Sequence, residues 1–158
     1  MRRRTLAEGS VVHLVRTESD PYEAAFVEML TGWCNQMRAR NLKLATIDAR
    51  RRTVRRFAEH HNEYPWSWTP AMLDEWIADC RMSGIGTATV RAYALSIRQF
   101  CEYLVDPAYG WQAECQERFE AIPVQILGKW NTARHVQETG SDKAVRPFRP
   151  EELQDFLD

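Results

Sequence analysis

The chain has 158 residues, 44% of them hydrophobic, a formal charge of −1 and six tryptophans. That suits one ordinary folded core and excludes a disordered chain. No apolar run approaches the roughly 20 residues that span a bilayer, and Met1 to Arg4 lack a following apolar stretch, so the expected compartment is the cytoplasm.

Residues 1–19 read as an N-terminal arm. Arg2, Arg3 and Arg4 form a basic triplet, and residues 11–15 have some strand character. The first helix is announced by Asp20 as N-cap, Pro21 at the first helical position and Glu23 at capping-box spacing. Its expected apolar stripe is Phe26, Val27, Leu30, Trp33, Cys34 and Met37, ending near Arg40, with Gly32 a weak point worth about 1 kcal/mol. The second helix is expected from Thr46, as N-cap, to about His61. Ile47, Val54 and Ala58 form its apolar seam, flanked by Phe57 and His61.

A loop over residues 62–68 follows, with Trp66 and Trp68 as core anchors. The third helix starts at Thr69 and Pro70 and packs Leu73, Trp76, Ile77 and Cys80. A tight turn at residues 83–86 makes it a neighbour of the fourth helix, residues 87–105. There Val90, Tyr93, Ala94, Ile97, Phe100, Cys101 and Leu104 share an apolar face. Thr87, Arg91 and Arg98 lie within about 40° of one another on a face roughly 100° away. A short fifth helix is expected within residues 111–119. Residues 122–127 are extended and apolar enough to pack, residues 131–147 are polar linker, and residues 150–158 begin another helix. The expected fold class is all-α, with four main helices around one core.

Cys34, Cys80, Cys101 and Cys115 contain no CxxC pair and are expected as buried reduced thiols; no metal or cofactor is expected. His60 and His61 point about 100° apart on a helix, so packing is the expected role. Glu114, Glu117 and Glu120 read as a solvated helix edge.

Charge is distributed unevenly. Residues 38–56 hold eight basic residues (Arg38, Arg40, Lys43, Arg50, Arg51, Arg52, Arg55 and Arg56) against the single acid Asp48. Residues 106–158 hold six bases and ten acids. Screening cuts interactions beyond about 10 Å, so a polyanion responds to the local field and not to the near-zero sum. A solvated charged face usually alternates in sign, and this one does not. The arginines spread over the side of the second helix opposite its seam, and duplex DNA is the expected partner.

An ordered series of segments resembles the N-terminal core-binding domain of tyrosine recombinases, the phage integrase family. It comprises residues 26–37, Asn41-Leu-Lys-Leu-Ala-Thr46-Ile47 leading to Arg56-Phe57, and Trp68-Thr69-Pro70 with Leu73 and Trp76. Then come Gly86-Thr87-Ala88-Thr89-Val90-Arg91, Ile97-Arg98-Gln99-Phe100 to Leu104, and Arg146-Pro147-Phe148-Arg149-Pro150-Glu151-Glu152-Leu153. The resemblance implies an orthogonal four-helix, SAM-like bundle over residues 20–119, an extended linker over 120–147, and the start of a truncated catalytic domain at 148–158. It also implies half of a clamp around a recombination site, with helices two and four facing DNA and other recombinase protomers as further partners. On that basis, together with the cationic face, the candidate DNA-binding residues are Lys43, Thr46, Arg50, Arg51, Arg52, Arg55, Thr87, Arg91 and Arg98.

The family's chemistry uses a nucleophilic Tyr with Arg, Lys and His partners in a catalytic domain that this chain barely enters. None of the five Tyr has a matching context, and His13 to Arg16, although spaced His-x-x-Arg, lies in the arm. The chain is expected to bind DNA without cutting it. Two other readings are a helix-turn-helix transcription regulator built on helices three and four, and a helical protein-interaction domain using the acidic C-terminal third.

Overall fold

The computed structural model describes residues 20–133; the expected arm, most of the polar linker and the segment from 148 onward lie outside them. Among the described residues the protein is all-α. Five α-helices, α1 Pro21–Ala39, α2 Leu44–His61, α3 Pro70–Met82, α4 Thr87–Val105 and α5 Trp111–Phe119, are joined by loops and a 3-10 turn at Pro65–Ser67. No helix among them is long and apolar enough to cross a membrane.

Local chemistry sets most of the boundaries. The Asp20 side chain accepts from the backbone N–H groups of Tyr22 and Glu23 at 3.1 and 3.2 Å, which starts α1 behind Pro21. Thr69 accepts from Met72 N–H at 3.3 Å to start α3 behind Pro70. Asn62, in the left-handed region at φ 55°, ends α2, and Gly84 at φ 89° turns α3 into α4.

Three expectations need correction. Helix α2 starts at Leu44, with Lys43 as an N-cap that makes no side-chain cap bond, and Thr46 falls inside its first turn. The cause is Leu42, whose N–H closes onto Met37 O at 3.1 Å while its side chain packs on the core, so the chain re-enters a helix at once. Val27 is 42% exposed. The stripe of α1 is centred one position earlier, on Ala25, Phe26, Met29, Leu30, Trp33, Cys34 and Met37. The Glu23 carboxylate, expected in a capping box, instead receives Arg55 and Tyr64.

Helices α2 and α4 are central: they pack on each other, and each also meets α1 and α3. Phe57 on α2 lies 4.7 Å from Trp68 and 5.2 Å from Trp76, ring centre to ring centre. Phe100 on α4 meets Trp33 of α1 at 5.0 Å. Burying each such ring contributes about 1.5–3 kcal/mol, which outweighs the helix-weakening Gly32. Trp66 and Trp68 are both buried, as expected, and Trp66 stacks on Phe119 of α5 at 4.1 Å. Residues 122–127 do pack: Ile126 and Leu127 are buried in the core. Gln125 side-chain N–H donates to Arg98 O at 3.2 Å.

Residues from Gly128 onward form a separate unit. Its described part is a 3-10 turn, Lys129–Asn131, closed by Gly128 N–H donating to the Asn131 side chain at 3.0 Å.

Candidate nucleic-acid interface

The cationic crest of α2 exists because its seam is one-sided. Ile47, Thr53, Val54, Phe57 and Ala58 are buried, and the arginines between them are left on the remaining arc. Arg51, Arg52, Arg55 and Arg56 line one shallow depression of about 370 Å³, together with Glu59. A second groove of about 250 Å³ runs between α1 and α2, lined by Arg38, Arg51, Arg55 and Asp48 together with Val27, Leu30 and Ile47. Four guanidinium groups thus share one depression with the Glu59 carboxylate, while Asp48 and Glu23 each pair with one of them.

Each guanidinium is held differently. Arg51 pairs with Asp48 one turn earlier at 3.3 Å, both side chains about half exposed. Such an exposed pair is worth only about 0.2–1 kcal/mol, so a phosphate can take the place of Asp48. Arg52 is exposed. Arg55 is half-buried, 3.3 Å from Glu23 and 5.3 Å over the Phe26 ring, which makes it a tie between α2 and α1. Arg56 donates to the Tyr93 hydroxyl at 2.9 Å and lies over the same ring at 5.7 Å. Arg50 turns back from the crest toward α1, with Nη1 4.0 Å from Met37 Sδ. Burial, and then the Arg40 charge, hold its pKa below the ordinary guanidinium value.

Around the Glu23 carboxylate, Tyr64 donates its hydroxyl at 3.2 Å. Burial pushes the Tyr64 pKa up to about 12, with the Asp20 and Glu23 charges adding and Arg55 opposing.

Of the nine residues singled out from sequence, the structure brings Arg51, Arg52 and Arg55 together. Lys43 and Thr46 lie at the start of α2, roughly 9–14 Å along the axis from Arg52. Thr87 is exposed at the start of α4, and Arg91 and Arg98 are half-buried. The crest meets α4 through Arg56 and Tyr93, whereas Arg91 and Arg98 leave that helix about 160° and 140° around its axis from Tyr93. The two cationic sets therefore do not converge at that contact. Arg56 completes the crest and is not among the nine. Its four-residue spacing from Arg52 is the signal that marks it.

Comparison with protein-family models, curated proteins and solved structures gives no match to this chain.

The histidines, the cysteines and Glu114 have structural surroundings. His60 Nε2 lies 3.1 Å from Asp79 on α3, and His61 Nε2 lies 2.7 Å from Met72 O, so the two imidazoles serve separate contacts. All four cysteines are free and buried. Burial raises the thiol pKa of Cys101 to about 12 and that of Cys115 to about 11. Glu114 pairs with Arg118 at 3.3 Å on the exposed edge of α5.

Proposed function

We propose that the chain is a double-stranded-DNA-binding module of the tyrosine-recombinase core-binding type, gripping the duplex backbone with the crest of α2. The observation that supports this most is the gathering of Arg51, Arg52, Arg55 and Arg56 around one open depression. A folding requirement does not explain that density, because the seam of α2 already supplies its packing. Arginine suits such a grip, since its planar fork holds phosphate oxygens bidentately and stays charged at any working pH.

The division of roles follows from how the arginines are held. Arg52 and Arg56 face phosphate with Glu59 the one acid in their depression, Arg51 joins them when Asp48 is displaced, and Arg55 chiefly fixes α1. On α4, Thr87, Arg91 and Arg98 form a separate basic edge that reads bases if the duplex wraps that far. In this reading the bundle is the SAM-like half of a clamp on a recombination site, and strand cutting belongs to none of the described residues.

Backbone binding of this kind is electrostatic. With about three phosphate contacts the slope of log K against log salt is near −3, and affinity falls on the order of 50-fold between 50 and 200 mM salt. An electrophoretic shift on a mixed-sequence duplex at those two salt concentrations tests this. A shift that disappears at the higher salt supports the reading, and no shift at the lower salt refutes it.

A further inference from the structure

Arg56 differs from its neighbours on the crest in the chemistry that holds it. Arg51 and Arg55 face carboxylates, which offset their charge. Arg56 is held by a neutral phenol: its Nη1 donates to Tyr93 Oη at 2.9 Å, and the guanidinium carbon lies 5.7 Å from the centre of the ring. A phenol orients a guanidinium without cancelling it.

Tyr93 is itself fixed. Its ring stacks on Trp76 at 5.5 Å with the planes 19° apart, and Trp76 is buried in the core against Phe57. The chain of contacts from the core through Trp76 and Tyr93 to Arg56 thus holds an exposed arginine in place. One of the five N–H donors of Arg56 goes to Tyr93, leaving the others for a ligand. Arg52, one helical turn earlier, lines the same depression, as does Glu59.

We infer that Arg56 is the pre-oriented phosphate contact of the crest and that Tyr93 is its positioning residue. Arg52 and Arg56 together then grip the phosphodiester oxygens of one strand. This rests on the duplex-binding reading above and adds to it a residue on α4, Tyr93, that supports the grip without touching DNA. Holding a long side chain in its bound geometry beforehand is worth about two- to tenfold in affinity.

The test is fluorescence anisotropy on a mixed-sequence duplex with Tyr93→Phe, Arg56→Ala, the double variant and Arg52→Ala. Tyr93→Phe keeps the ring, its stack on Trp76 and the net charge, and removes only the acceptor hydroxyl. The expected result is a two- to tenfold weaker complex with an unchanged salt slope, and no further loss when Tyr93→Phe is added to Arg56→Ala. Arg56→Lys, which keeps the charge but not the planar fork, should weaken binding similarly. Wild-type affinity in Tyr93→Phe, or an equal loss in the Arg56→Ala background, overturns the inference and leaves the duplex reading standing if Arg52→Ala still weakens binding. Unchanged affinity in both Arg52→Ala and Arg56→Ala overturns the inference and the crest reading together.

Discussion

Arg55 and Glu23 meet at 3.3 Å between α2 and α1, while Tyr64 donates to the other oxygen of the same carboxylate at 3.2 Å. One acid therefore withholds one crest guanidinium from the surface field and in exchange ties two helices and a loop together. The same contact that steadies the bundle reduces its pull on a polyanion.

Glu23→Gln separates the two effects. The amide oxygen can still accept from Tyr64, and the pair is more than one-third exposed, so the stability loss should stay below about 1 kcal/mol. Duplex affinity should rise about two- to fivefold at low salt, because one negative charge beside the crest is gone. Urea unfolding and anisotropy titration check the two halves of this expectation.

Arg91 and Arg98 leave α4 on the flank away from the Arg56–Tyr93 contact. Alanine at either position should leave binding to mixed-sequence duplex within about twofold and relax discrimination between sequences by about 1–3 kcal/mol. Competition titrations with unrelated duplexes measure this. If either substitution abolishes binding while Arg52→Ala does not, α3 and α4 carry recognition as a helix-turn-helix.

Gly32 reads from sequence as a weak point that Ala should improve by about 1 kcal/mol. In the fold, an added Cβ would run into the Tyr103 hydroxyl, and Tyr103 is buried, with Trp111 Nε1 donating to that same oxygen at 3.4 Å. Gly32→Ala should therefore destabilise by about 1–3 kcal/mol, and adding Tyr103→Phe should recover part of the loss. Thermal unfolding of the single and double variants decides the sign.

The features legible in the sequence are the local ones. Asp20-Pro21, Thr69-Pro70 and the turn at residues 83–86 act within a few residues of themselves, so helix starts and neighbours can be read directly. Glu23 with Arg55, Tyr93 with Arg56 and Gly32 with Tyr103 are 32, 37 and 71 positions apart, and nothing local marks them. Tyr93 sits on the apolar face of α4 as expected, yet its hydroxyl works at the surface. Val27 falls outside the core for a related reason: a helical stripe fixes which face is apolar but not which edge of it the neighbouring helix covers. Thr46 is a good capping residue, yet tertiary burial of Leu42 decides where α2 begins.

Burial raises the thiol pKa values of Cys101, to about 12, and Cys115, to about 11, from the ordinary 9.0. Between those values the folded chain keeps thiol protons that the unfolded chain has released. The contribution of these two thiols to folding stability is therefore fully present below about pH 9 and is lost as pH rises from 9 toward 12. Native Cys101 and Cys115 should resist thiol-directed reagents at pH 8 and react only on unfolding. Labelling kinetics followed by mass spectrometry, and urea midpoints across pH 8–11, give the two readouts. Fast labelling of Cys101 at pH 8 would contradict its burial.

Most of the functional reading depends on guanidinium groups acting as phosphate counterions on the crest of α2. Its most direct test is the salt slope of duplex binding for the wild type against Arg52→Ala with Arg56→Ala. The expected slope becomes shallower by about 2, near 0.9 for each phosphate no longer neutralised, with the bundle still folded by circular dichroism. An unchanged slope in a folded double variant would show that the duplex, if it binds, does so elsewhere.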